Sequence, residues 1–246
     1  MKQTTEMGTN RTGMGMAPQL GPEMIEGAQQ RGATHAAEPG GLHRIHRSYL
    51  DDASPVGSVP PPSSMKGAAS AGIQALKGNK PSVLLNKLGE RLAFERSGTR
   101  LYEAMLDKFD AEGSWSGGPT RDELQHFRDE ELKHFHMVKE AIESLGADPT
   151  AMTPAADVAG VASEGVMKVV TDPRISLAES LEGILTAELV DHDGWEMLIK
   201  LTEGMGQKKL AKGFREALAE EDVHLASVRK WLTAHSEAEA KRELQQ

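Results

Sequence analysis

The chain has 246 residues, a formal net charge of −9, 4% aromatic residues and no cysteine. Such a length suits one sizeable core with extensions, and the acidic balance excludes the clustered Lys and Arg of a nucleic-acid footprint. Without thiols there are no disulfides, thiolate zinc sites, cysteine nucleophiles or cysteine-held iron–sulfur clusters, so any metal must be held by nitrogen and oxygen.

The N-terminal stretch MKQTTEMGTNRTGMGMAPQL lacks the apolar core of a secretory signal, and no membrane-length apolar run occurs. A cytoplasmic protein with no membrane partner is expected. Residues 1–80 hold 12 of the 25 glycines, 7 of the 12 prolines and half of the 12 methionines. No helical stripe runs through them beyond a short turn near Met24 to Gln30, so they are expected to form an irregular arm, either a disordered leader or a partner-docking segment. His43 and His46 belong to this arm.

From Pro81 onward the apolar residues recur at helical spacing, and four long helices follow with recognisable ends. The first spans about 82–109, between Lys80-Pro81 and Gly113. The second opens on Thr120-Arg121-Asp122-Glu123, a capping box, and ends at Leu145-Gly146. The third opens near Ser176, whose Glu179 makes a second capping box, and stops before Gly204-Met205-Gly206. The fourth runs to about His235, leaving residues 237–246 as a charged tail. Short links make the first and second helices, and the third and fourth, antiparallel hairpins. About 30 residues separate the second from the third, enough for a small helix and a crossing of the bundle's length, which permits those two helices to run parallel. The reading is all-α: a four-helix bundle over 81–236 with a long crossover.

Each of the four helices carries one glutamate inside its apolar stripe: Glu95 between Leu92 and Tyr102, Glu131 between Phe127 and Val138, Glu188 between Ile184 and Trp195, and Glu221 between Phe214 and Leu225. Glu131/His134 and Glu221/His224 add a histidine three residues on, so both heads share a helix face. EELKHFHMV (130–138) and EEDVHLASV (220–228) agree at both acids, the histidine and the valine. LYEAML lies as far beyond Glu95 as GWEMLI lies beyond Glu188, so the hairpin is repeated about a pseudo-twofold axis. Glu123/His126 has the same spacing, but its face continues through Glu130, Lys133 and Glu140 and reads as solvated surface. Glu220 is expected to point roughly 100° away from Glu221, toward solvent.

Burying an ionised carboxylate alone costs several kcal/mol, and four together would exceed the net stability of a domain, about 5–15 kcal/mol. Two divalent ions would offset them. An oxygen-rich set with imidazole and no thiol suits iron or manganese, with zinc as an occupant in vitro.

Residues 82–235 resemble the ferritin-like di-iron carboxylate family of bacterioferritins, rubrerythrins and small oxidases, whose motif is a glutamate on each of two helices and Glu-x-x-His on the other two. The resemblance implies a ferritin-like bundle holding two iron ions, with Glu131 and Glu221 bridging, Glu95 and Glu188 as terminal ligands, and His134 and His224 on one ion each. Asp191, where some rubrerythrin-like proteins carry an extra acid, would orient a histidine ligand or move onto a metal; the alternative is a solvated acid beside His192. Tyr102 and Trp195, each seven residues past a ligand, are redox neighbours or core aromatics. His126, His136 and His235 read as surface. The implied activity is redox chemistry with dioxygen or hydrogen peroxide, fed by an external electron donor because no cysteine-bound iron is present to relay electrons. The alternative is iron binding and storage. A storage cage would run at many times 26.6 kDa, whereas the leader and long crossover depart from minimal cage formers; a homodimer is compatible.

Overall fold

Seven helices and no strands form among the residues that the computed structural model describes, which are 17–31, 41–62, 67 and 81–244. No described helix is long and apolar enough to cross a membrane. The chain divides into two compact units, one of Gln3–Pro55 and one that includes Val56–Gln246.

The smaller unit contains α1 (Leu20–Arg31) and α2 (Gly41–Asp52), where an irregular arm was expected. In α2, Leu42, Ile45, Tyr49 and Leu50 recur at helical spacing, a signal concealed when Gly and Pro are counted over the whole arm. Pro22 falls in the first turn of α1, where a missing N–H costs nothing. Residues 53–62 form no regular structure, and apart from Gly67 the remainder of the expected arm lies outside the described residues.

The larger unit contains α3 (Pro81–Glu112), α4 (Arg121–Ser144), α5 (Pro154–Thr171), α6 (Leu177–Gly204) and α7 (Lys208–Glu243). Both capping boxes form: Thr120 with Glu123 starts α4, and Ser176 with Glu179 starts α6. Gly146 and Gly206, just past the ends of α4 and α6, take positive φ of 78° and 72°, the left-handed conformation that closes a helix and favours glycine. The last helix does not end near His235. Instead α7 continues to Glu243, because EAEAKRE consists of strong helix formers with a Lys241–Glu237 pair one turn apart.

Side-chain pairs fix the direction of each packing. Glu103 with Arg128 and Asp110 with Arg121 make α3 and α4 antiparallel. His192 with Asp222 and Glu203 with Arg215 do the same for α6 and α7. Arg91 with Asp191 and Glu112 with Leu177 set α3 antiparallel to α6, while Lys133 with Glu220 and Phe127 with Trp231 set α4 antiparallel to α7. The four long helices thus close a ring, and α4 and α6 run parallel. The crossover between them is α5, tied to α3 at both ends. At its start, Ala155 N–H donates to Asn86 Oδ1 (2.9 Å); beyond its end, Lys108 Nζ donates to the carbonyls of Asp172 and Ile175.

Two apolar clusters fill the ring. One contains Tyr102, Met105, Leu124, Phe127, Leu181 and Trp231; the other contains Leu84, Leu88, Val138, Trp195 and Phe214. Every long helix also buries polar residues at the level where these clusters meet. That layer is where the stripe glutamates lie.

Candidate metal centre

The layer comprises Glu95 and Arg91 from α3, Glu131 and His134 from α4, Glu188 and Asp191 from α6, and Glu221 and His224 from α7, none more than 5% exposed. All six ligands expected from the sequence therefore meet. One donor atom from each of Glu131, Glu188, Glu221 and His224 falls within 4.8 Å of the others, as it does within Glu95, His134 and Glu221, and within Glu95, Glu131, Asp191 and Glu221. Glu221 belongs to every group. Its Oε1 lies 2.9 Å from His134 Nδ1 and its Oε2 lies 3.1 Å from His224 Nδ1, which puts this carboxylate between the two imidazoles.

These approaches are close but not aligned as hydrogen bonds. Both oxygens of Glu221, Glu95 Oε2, one oxygen each of Glu131 and Glu188, and Nδ1 of both histidines have neither a hydrogen-bond partner nor an ion pair with Arg91. So many orphaned buried atoms in one layer are costly. They converge on shared points rather than on each other, as the donors of a cation site do. Five carboxylates and one guanidinium leave a formal −4 when the imidazoles are neutral, the charge that two divalent ions balance. The donor set thus fits two ions held by oxygen and nitrogen.

The imidazoles are oriented from outside the layer. His134 Nε2 donates to Glu220 Oε2 (2.7 Å), and His224 Nε2 donates to Glu130 Oε2 (2.9 Å). Each helix of the α4/α7 pair thereby anchors the other's histidine and turns Nδ1 inward, the arrangement that fixes a ligand histidine. Glu220 is further held by Lys133. The expectation that Glu220 and Glu130 face solvent fails because a long side chain a third of a turn from the buried face reaches the neighbouring helix. The doubled acid shared by EELKH and EEDVH is the signal that could have revealed both.

No protein-family model, curated protein or solved structure gives a significant match to this chain. The residues carry the functional reading.

Electrostatics shows how the metal-free layer copes with its own charge. Burial, reinforced by Glu221, pushes the Glu131 carboxyl up to about 8, and burial raises Glu188 and Asp191 well above their ordinary range. Burial works against a proton on His134, but the Glu221 and Glu95 carboxylates outweigh it and hold the imidazole up to about 11. In the metal-free layer, raised carboxyl and imidazole pKa values thus offset part of the buried negative charge.

The remaining residues sort by contact. The Tyr102 hydroxyl donates to Glu188 Oε1 (2.5 Å), with burial keeping the phenol protonated. Asp191 meets no histidine; its Oδ1 pairs with Arg91 Nη1 at 2.9 Å, while Arg91 Nε lies 2.9 Å from Glu95 Oε1. Arg91 was missed because a cation four residues before Glu95 reads as surface. Trp195 is buried edge-on to His134 with its indole N–H unpartnered. His192 leaves the stripe to pair with Asp222 near the surface. His126 and His136 are exposed, as are His43 and His46 on α2. His235, expected at the surface, packs half-buried against Trp115. Two glycines make room for the layer: a Cβ on Gly98 would lie 2.1 Å from Glu131 Oε2, and one on Gly194 would lie 2.3 Å from Arg91 Nη1.

Proposed function

We propose that the larger unit is a ferritin-like bundle and that the protein is a dinuclear metal carboxylate protein, iron being the first choice, that carries out redox chemistry with dioxygen or hydrogen peroxide. The observation that carries this reading is the buried layer of inward-turned donors without hydrogen-bond partners, whose formal charge matches two divalent ions. A ring of four long helices with α4 and α6 parallel supports the same reading, because that connectivity accompanies the Glu and Glu-x-x-His donor pattern in ferritin-like bundles.

Glu221 occurs in all three donor groups and is assigned a shared position; the family resemblance assigns the other to Glu131, leaving Glu95 with His134, and Glu188 with His224, to serve one ion each. Bound iron would supply the electrons that reduce dioxygen or peroxide, and an external donor would restore them. Glu220 and Glu130 hold the imidazole N–H protons so that Nδ1 offers its lone pair. Tyr102 keeps its proton against Glu188 Oε1, next to the centre, where it can be passed to that carboxylate. The apolar clusters above and below exclude bulk water.

Stopped-flow mixing of the ferrous-loaded protein with dioxygen, and separately with hydrogen peroxide, tests the reading. Oxidation faster than that of ferrous ion with the Glu131→Ala, Glu221→Ala double variant is expected, and the preferred oxidant separates oxidase-like from peroxidase-like chemistry. Equal rates for the two proteins with both oxidants would exclude redox function at this layer.

A further inference from the structure

A cavity of about 330 Å³ lies among α3, α5 and α6, on the outer side of Arg91. Its walls are apolar, formed mainly by Phe94, Val158, Ala162, Val190, Met197 and Leu198, and its size is that of a small-ligand pocket. Three of its polar side chains are already engaged: the Ser163 hydroxyl donates to the Ala159 carbonyl, and Lys87 pairs with Glu90.

Arg91 is different. It lines the cavity, is 5% exposed, and spends Nη1 and Nε on Asp191 and Glu95. Its third nitrogen, Nη2, makes no hydrogen bond or ion pair among the described residues. A guanidinium is a rigid fork of five donors, and Nη2, unlike the fully buried Nε, stays reachable from the cavity side. Gly194 is what lets this group stand between cavity and layer, since a Cβ there would displace it.

We infer that this cavity binds a neutral, largely apolar small molecule through one acceptor oxygen on Arg91 Nη2, one guanidinium away from Glu95 and Asp191. An anionic headgroup is disfavoured because it would add an unbalanced charge beside two buried carboxylates. A carbonyl oxygen satisfies the donor without adding charge. Binding needs no metal; the ligand's role as an organic substrate of the centre rests on the proposed function.

The test titrates the full chain, metal-free and metal-loaded, with methyl hexyl ketone and with octanoate. The ketone is expected to bind both forms, at least about tenfold more tightly than octanoate given the cost of burying an unbalanced charge, with its carbonyl stretch lowered in the infrared by the Arg91 hydrogen bond. Ala162→Phe, at an exposed position of α5, fills the cavity and should weaken ketone binding about tenfold, as for other overpacked sites, while leaving metal content unchanged. Absent ketone binding, equal or tighter octanoate binding, an unshifted carbonyl or indifference to Ala162→Phe would each overturn the inference. Ketone binding by a protein that takes up no metal would uphold the cavity and discard the dinuclear reading; two bound ions without ketone binding would do the reverse.

Discussion

Glu220 and Glu130 show how much of a buried site depends on side chains one step outside it. Each accepts a hydrogen bond from the Nε2 of the opposite histidine and so decides which ring nitrogen faces the carboxylates. Glu220→Ala is expected to lower metal affinity by about 10–100-fold, the usual cost of losing such a partner, while helix content stays as in the wild type; competition against a graded series of chelators reads it. The six side chains that meet in the layer were legible in the sequence because a charged residue within an apolar stripe is conspicuous, and two such stripes repeat. Arg91, Glu130 and Glu220 were not. A cation at 91 and acids at 130 and 220 look like ordinary surface residues until the neighbouring helix is in place to receive them, and one sequence contains no neighbour.

At the scale of elements, each long helix presents one polar turn between two apolar ones, so the layer has a fixed height in the ring. The same packing forces the metal-free protein to retain protons. Glu131 moves from 4.5 to about 8, and His134 moves from 6.5 to about 11. In both cases the folded state binds a proton that the unfolded chain has released, so stability falls as pH rises. The His134 contribution is complete below 6.5 and disappears as pH approaches about 11; the Glu131 penalty grows between 4.5 and about 8. Glu221 is depressed, against burial, by His134 and His224; its contribution is present above 4.5 and is lost only toward acid, outside this window. Urea unfolding of the metal-free protein should therefore give a lower midpoint near pH 8 than near pH 6. The metal-loaded protein should show a weaker trend, because ions replace the protons. A midpoint that rises with pH in the metal-free protein would contradict the account of the layer. The boundaries of α4 and α6 followed from their capping boxes, whereas the extension of α7 was hidden by its charge and α2 by the glycine-rich composition around it.

In the whole molecule, the crossover α5 braces α3 along its length and allows four helices from two hairpins to surround one layer. Ions bound there would be part of the fold's free energy, since anything that binds only the folded state stabilises it by mass action, about 2.7 kcal/mol at a hundredfold excess over Kd. This layer is proposed to hold two metal ions. Metal analysis of the protein purified aerobically from iron-supplemented medium, alongside the Glu131→Ala, Glu221→Ala variant, tests it most directly: about two ions per wild-type chain and a marked loss in the variant are expected from the charge balance of the layer, and equal metal content in the two proteins would contradict it.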